Sequence, residues 1–159
     1  DNYNPTDKTL NLSDATYNSR SVAAIGVAAH ECGHAIQHDE GYSFLKFRTM
    51  LFPIASFGSQ FSFILILLGL FFGSFSVLID VGIILFSFAV LFQLVTLPVE
   101  FNASSRALAL LSDNGILYDS EVDQTKKVLS AAAMTYVASA ATAIIQLARL
   151  LMLRGRSRD

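Results

Sequence analysis

Charge is scarce in this chain. Only 15% of its 159 residues are Asp, Glu, Lys or Arg, against about 25% in an ordinary soluble domain. Two stretches carry none at all: Thr49 to Ile79 and, beyond Asp80, Val81 to Val99. The net charge of −2 gives no basic face for nucleic acid, so a nucleic-acid partner is excluded. Cysteine occurs once, at Cys32, which rules out an intrachain disulfide and with it a secreted disulfide scaffold. The chain opens at Asp1 with no methionine and no signal or transit pattern, and is therefore expected to be a fragment of a longer protein.

What fills the space left by charge is apolar. Phe61 to Ile79 is dense in Leu, Ile and Phe and long enough for a hydrocarbon core of about 30 Å. Val81 to Val99 is of similar length. Together they predict a transmembrane helical hairpin over 54–99, with its bend at Gly73-Ser74 or near Asp80. A buried pair of core helices would need covering on all sides, and a 159-residue chain has too little else to cover them. Val128 to Ala148 is a third uncharged run, rich in Ala, Ser and Thr. Small residues let helices approach closely in lipid, so a C-terminal transmembrane helix is expected over 121–153. Its start, Glu121 to Lys127, is charged and exposed, and Tyr136 on it reads as a helix-packing residue. The expected fold class is a mainly α membrane protein of one domain, 1–159. It would comprise a turn and short β-hairpin or strand (1–20), a metal helix (21–40), the hairpin (54–99), a third-ligand helix (100–112) and the C-terminal span.

The chemistry is concentrated in His30-Glu31-Cys32-Gly33-His34. On a helix, His30 and His34 lie one turn apart on one face, so both imidazoles reach one ion. Glu31 projects beside that ion, where a carboxylate takes a proton from activated water. This is the geometry of a zinc hydrolase. Ser19 or Ser21 is placed to cap the helix and Gly41 to stop it. Cys32 points off the ligand face and reads as a small packing residue. Upstream, Asn4-Pro5-Thr6-Asp7 is turn chemistry, Thr9 to Leu12 alternates polar and apolar, and Ser13 can open a helical turn through Tyr17.

A catalytic zinc takes three protein ligands and keeps one position open. His38 lies about 12 Å of helix rise from His30, too far to share an ion, and Ala35-Ile36-Gln37 contains no helix breaker. A hairpin returns the chain to the side it left, and the first residue after the second run is Glu100. A carboxylate at the end of a spanning helix is costly unless solvated, paired or metal-bound. Pro98 is placed to end or kink that helix. Glu100 is therefore the expected third ligand, ahead of Asp39, Glu40, Asp113 and Glu121. Ser104, one turn on, is placed to hydrogen-bond a ligand histidine. Arg106 reads as a partner for a surface carboxylate rather than an oxyanion donor.

The stretches His30 to His38 and Leu97-Pro98-Val99-Glu100-Phe101-Asn102-Ala103-Ser104 resemble the YugP-type neutral zinc metallopeptidases, over nearly the whole chain. The Glu100 stretch is more distantly similar to the HtpX-type membrane metalloproteases, with Ser104 standing where their Glu-x-x-Ala-Asp pattern has Asp. The resemblance implies a bacterial membrane zinc endopeptidase, and an additional N-terminal membrane segment in its members. In that reading His30, His34 and Glu100 hold a single catalytic Zn²⁺, and Glu31 is the general base. The partners are a protein or peptide substrate, membrane proteins included, and the lipid bilayer. Arg20, Lys46, Arg48, Arg106, Lys126 and Lys127 would gather on the metal side, pointing the site to the cytoplasmic face of the inner membrane. The tail Arg154-Gly155-Arg156-Ser157-Arg158 would lie opposite. Two alternatives stand beside it: an intramembrane site-2-type protease, and a non-catalytic membrane protein with a structural zinc.

Overall fold

The computed structural model describes residues 1–73 and 76–158. Within them the chain forms a two-stranded antiparallel sheet, β1 (Asn2–Asn4) and β2 (Thr9–Asn11), followed by α1 (Asp14–Tyr17), α2 (Val22–Glu40), α3 (Ser43–Phe71), α4 (Ser76–Asp113) and α5 (Asp119–Arg158). The helices α3, α4 and α5 are each long and apolar enough to cross a membrane, and most of each apolar window stays uncovered by protein. Phe57, Phe61, Ile64, Leu67 and Ile84 are among the large apolar side chains left exposed. Such surface is tolerated only where lipid replaces water. The molecule is a mainly α membrane protein.

The chain packs as two compact units: Asp1–Lys46 with Leu97–Thr135, and Phe47–Thr96 with Tyr136–Asp159. In the first, Tyr3 pairs with Leu10 across the hairpin, and the 5–8 turn is closed by Asn4, whose side-chain oxygen accepts from the Thr6 N–H at 3.0 Å. Ser13 takes the N-cap position of α1 without capping through its side chain. The Asp1 carboxylate ties the chain start to this turn, accepting from the Ser13 N–H (2.6 Å) and the Thr16 hydroxyl (2.8 Å).

The boundaries of α2 are set by its end residues. Ser21 accepts from the Ala24 N–H at 3.1 Å, a cap contributing about 1 kcal/mol. Gly41 adopts a left-handed φ of 69°, which lets the Tyr42 N–H reach the Gln37 carbonyl (2.9 Å) and its own N–H reach that of His38 (3.2 Å). That is a Schellman ending, and glycine is the residue that adopts it without strain. Only Gly41 and Tyr42 separate α2 from α3.

The α4 helix in this unit presents a stripe at every fourth residue: Val99, Ala103, Ala107 and Leu111, each fully or almost fully buried. The stripe is narrow because α2 presses against it. A Cβ on Gly33 would overlap the Ala103 carbonyl oxygen. On the other flank a Cβ on Gly26 would sit 2.6 Å from Cγ2 of Thr125 on α5. Ala29, Ala107, Leu111, Leu117 and Leu129 close the core between the three helices. At the start of α5, Glu121 reaches back to the Tyr118 N–H at 3.0 Å, as an acidic residue in a first turn does.

The second unit is built the same way. Gly58 of α3 lies against the Leu85 carbonyl of α4, and Gly82 of α4 against Ile66 and the Ser62 carbonyl of α3. Ile66, Ile79, Ile83, Phe86, Val90 and Leu150 form its core. Asp80 does not form the bend. It lies inside α4 and binds Arg154 of α5 in a two-pronged pair, Nε to Oδ1 at 2.5 Å and Nη2 to Oδ2 at 3.1 Å. Gly73, with φ 59°, closes α3, while Ser74 of the expected bend and the side chains of Ser157 and Arg158 lie outside the described residues. Neither of the two helix prolines breaks its helix. Pro53 sits within α3 and Pro98 within α4, so the expected 100–112 helix is the uninterrupted continuation of the second span.

Candidate metal centre

The close approach at Gly33 brings the imidazoles of α2 up to the carboxylate of α4. His30 Nε2 lies 2.8 Å from Glu100 Oε2, and His34 Nε2 lies 3.4 Å from Glu100 Oε1. The rings of His30 and His34 stand nearly perpendicular, their centroids 4.7 Å apart. One ligand atom from each of the three residues falls within 4.8 Å of the other two, an arrangement able to hold a metal ion. Glu100 is 4% exposed, so its carboxylate is held inside the protein against these two rings.

The donor set suits zinc. A tetrahedral zinc with bonds of about 2.0–2.2 Å to nitrogen and oxygen places its ligand atoms about 3.3 Å apart. The His34–Glu100 separation already has that value, and the His30–Glu100 contact is a hydrogen-bond distance about half an ångström shorter. Two imidazoles and one carboxylate also leave the fourth position of a tetrahedron without a protein donor among the described residues.

Each imidazole is held from behind. His30 Nδ1 bonds the Ser104 hydroxyl at 3.0 Å, the contact that its spacing from Glu100 suggests. His34 Nδ1 bonds Oε1 of Gln37 at 2.9 Å. Gln37 is 0% exposed, and its amide nitrogen donates to the Val99 carbonyl (2.9 Å) and to Oδ1 of Asn102 (3.0 Å). Asn102 Oδ1 in turn accepts from Nε of Arg106 at 2.7 Å. Arg106 also pairs with Glu40 at 2.5 Å, as the surface reading expects, and lies over the Tyr42 ring at 5.7 Å. Sequence reasoning missed Gln37 and Asn102. The signal was present in the i, i+3 spacing of His34 and Gln37, which puts them on one helix face.

Burial pushes the His34 imidazole down, but the hydrogen bond and charge of Glu100 outweigh it, with Gln37 and Glu31 adding to the same effect. The net result is a proton held to higher pH than on a free imidazole. Metal binding there is a proton exchange, so it weakens as pH falls through the histidine range. The Cys32 thiol is pushed up by burial first and then by the neighbouring Glu31 charge, and it is not part of the ligand group among the described residues. Glu31 is buried, 9% exposed, and takes no hydrogen bond among the described residues.

The remaining candidates lie elsewhere. His38 Nδ1 bonds the Tyr3 hydroxyl at 2.8 Å and ties β1 to α2. Glu40 is engaged by Arg106, Glu121 serves the start of α5, and Asp39 and Asp113 are exposed. Tyr136 belongs to the second unit.

An H-E-x-x-H helix sets two histidines on one face to bind zinc, the pattern of a metalloprotease. The chain matches the family described as "putative neutral zinc metallopeptidase" over residues 1–155 and belongs to that family. A similar protein is the "Putative membrane protease YugP" of Bacillus subtilis (strain 168), 48% identical over 159 residues, covering 100% of this chain and 70% of that protein. No solved structure matches the chain.

Proposed function

We propose that this protein is a membrane-bound zinc metalloendopeptidase. One observation carries the reading: two imidazoles from α2 and the Glu100 carboxylate from α4 converge within 4.8 Å, with Glu31, 9% exposed, following His30 on the same helix. In this reading His30, His34 and Glu100 hold one catalytic zinc. Zinc bound there supplies Lewis-acid polarisation of a peptide carbonyl and an acidified water.

The chain's own residues do the rest. Glu31 accepts the proton of the attacking water and delivers it to the leaving amine, the general base and then the general acid of one cycle. The ligand group of His30, His34 and Glu100 does not include Glu31, which leaves its carboxylate free for the base role in this reading. Ser104 and Gln37 fix the ring planes of the two histidines.

The substrate class is a protein or peptide, membrane proteins included. The apolar helices place the protein in a bilayer, and the distribution of Lys and Arg favours the bacterial inner membrane with the centre toward the cytoplasm.

Replacing Glu31 with Gln is the discriminating test on detergent-purified protein. Zinc should stay bound at one per chain while cleavage of a casein-type substrate is lost, and a chelator should abolish cleavage by the parent. Parent-like cleavage by Glu31→Gln would overturn the base assignment. Stoichiometric zinc with no cleavage of soluble or membrane-helix substrates would favour a structural metal, and cleavage confined to transmembrane helices would favour the intramembrane alternative.

A further inference from the structure

We propose that Gln37 is a positioning residue that fixes which nitrogen of His34 faces the metal. The proposal rests on the zinc-centre reading above and extends it to a residue with no ligand role of its own. Gln37 is wholly enclosed yet polar, and all of its amide is committed: Oε1 to His34 Nδ1 at 2.9 Å, and Nε2 to the Val99 carbonyl at 2.9 Å and Asn102 Oδ1 at 3.0 Å.

The direction of these bonds is not free. A backbone carbonyl only accepts, so the Gln37 group facing Val99 must be the NH₂. A guanidinium only donates, so the Asn102 atom facing Arg106 must be its oxygen, and that same oxygen then accepts from Gln37. Both anchors give the same answer. Gln37 therefore turns its oxygen toward His34, and an oxygen facing Nδ1 requires Nδ1 to carry hydrogen.

In the neutral ring the lone pair then lies on Nε2, the atom 3.4 Å from Glu100 Oε1. His30 lacks such a lock. Its Nδ1 meets a serine hydroxyl, which donates or accepts with equal ease. The two ligand histidines are thus held unequally, and the polarity of α4's backbone at Val99 reaches His34 through a single side chain.

The test uses this 159-residue chain in detergent, labelled with ¹⁵N-histidine. With three histidines in the chain, the imidazole spectrum has few lines to assign. Zinc-loaded wild type should show His34 with a protonated, slowly exchanging Nδ1–H. Gln37→Met, of similar volume without polar atoms, should lose that protection and bind zinc about 10–100-fold more weakly in a competition titration.

Wild-type affinity and a protected Nδ1–H in Gln37→Met would overturn the role of Gln37 and leave the centre standing. Should that variant not fold, a zinc-loaded wild type whose His34 Nδ1 carries no hydrogen overturns it equally. Unchanged zinc binding in His34→Ala is a different failure: it removes the centre itself, and the positioning role with it.

Discussion

At the scale of the residue, the centre depends on a single carboxylate reaching across to two rings on another helix. Glu100 is enclosed, and both of its oxygens are used, one per histidine. Glu100→Gln keeps the shape and removes the charge. Zinc affinity should then fall by more than the roughly 10–100-fold that loss of an outer-shell partner costs, measured by competition with a chromophoric chelator. The same titration, run downward in pH on the parent, should show zinc released as His34 takes up its proton, because Glu100 raises that ring's hold on hydrogen. The pairing of His30 with His34 was legible from spacing alone, since helical geometry leaves no choice of face. Glu100 was legible because an acid ending an uncharged run needs a reason to be there. Gln37 was not singled out: an uncharged side chain gives no sign in the sequence that its whole surface will be enclosed.

At the scale of the element, helix α2 fits only because Gly33 has no side chain. Gly33→Ala drives a methyl group into the Ala103 carbonyl, which is backbone and cannot swing aside. The helices must part, at a cost of about 1–3 kcal/mol, and His30 and His34 part from Glu100 with them. Thermal unfolding of Gly33→Ala should come earlier, and zinc binding should weaken although no ligand has changed. The limits of α2 were readable from Ser21 and Gly41, whose capping chemistry is local. The limits of α3 and α4 were not. Prolines suggest helix ends, yet Pro53 and Pro98 lie inside continuous helices. Asp80 misled in the same way: read alone it suggests a turn, and its true partner Arg154 lies 74 residues away.

At the scale of the whole molecule, composition carried the reading furthest. A chain short of charge with three long uncharged runs has one physical solution, helices whose backbone groups are satisfied internally and whose side chains meet lipid. Charge that remains among such helices must be paired. Asp80 and Arg154 are paired, and Asp80→Ala should lower the unfolding temperature of the protein in detergent. An exchanged pair, Asp80→Arg with Arg154→Asp, should recover part of that loss. If Asp80→Ala unfolds at the parent temperature, the contact contributes nothing to holding α4 against α5. One further consequence follows from the two-residue joint of Gly41 and Tyr42. Fully stretched it reaches about 7 Å, so α2 hangs from the first turn of α3 on a very short leash. Any tilt of that turn is handed directly to the histidine-bearing helix, with no slack in which to absorb it.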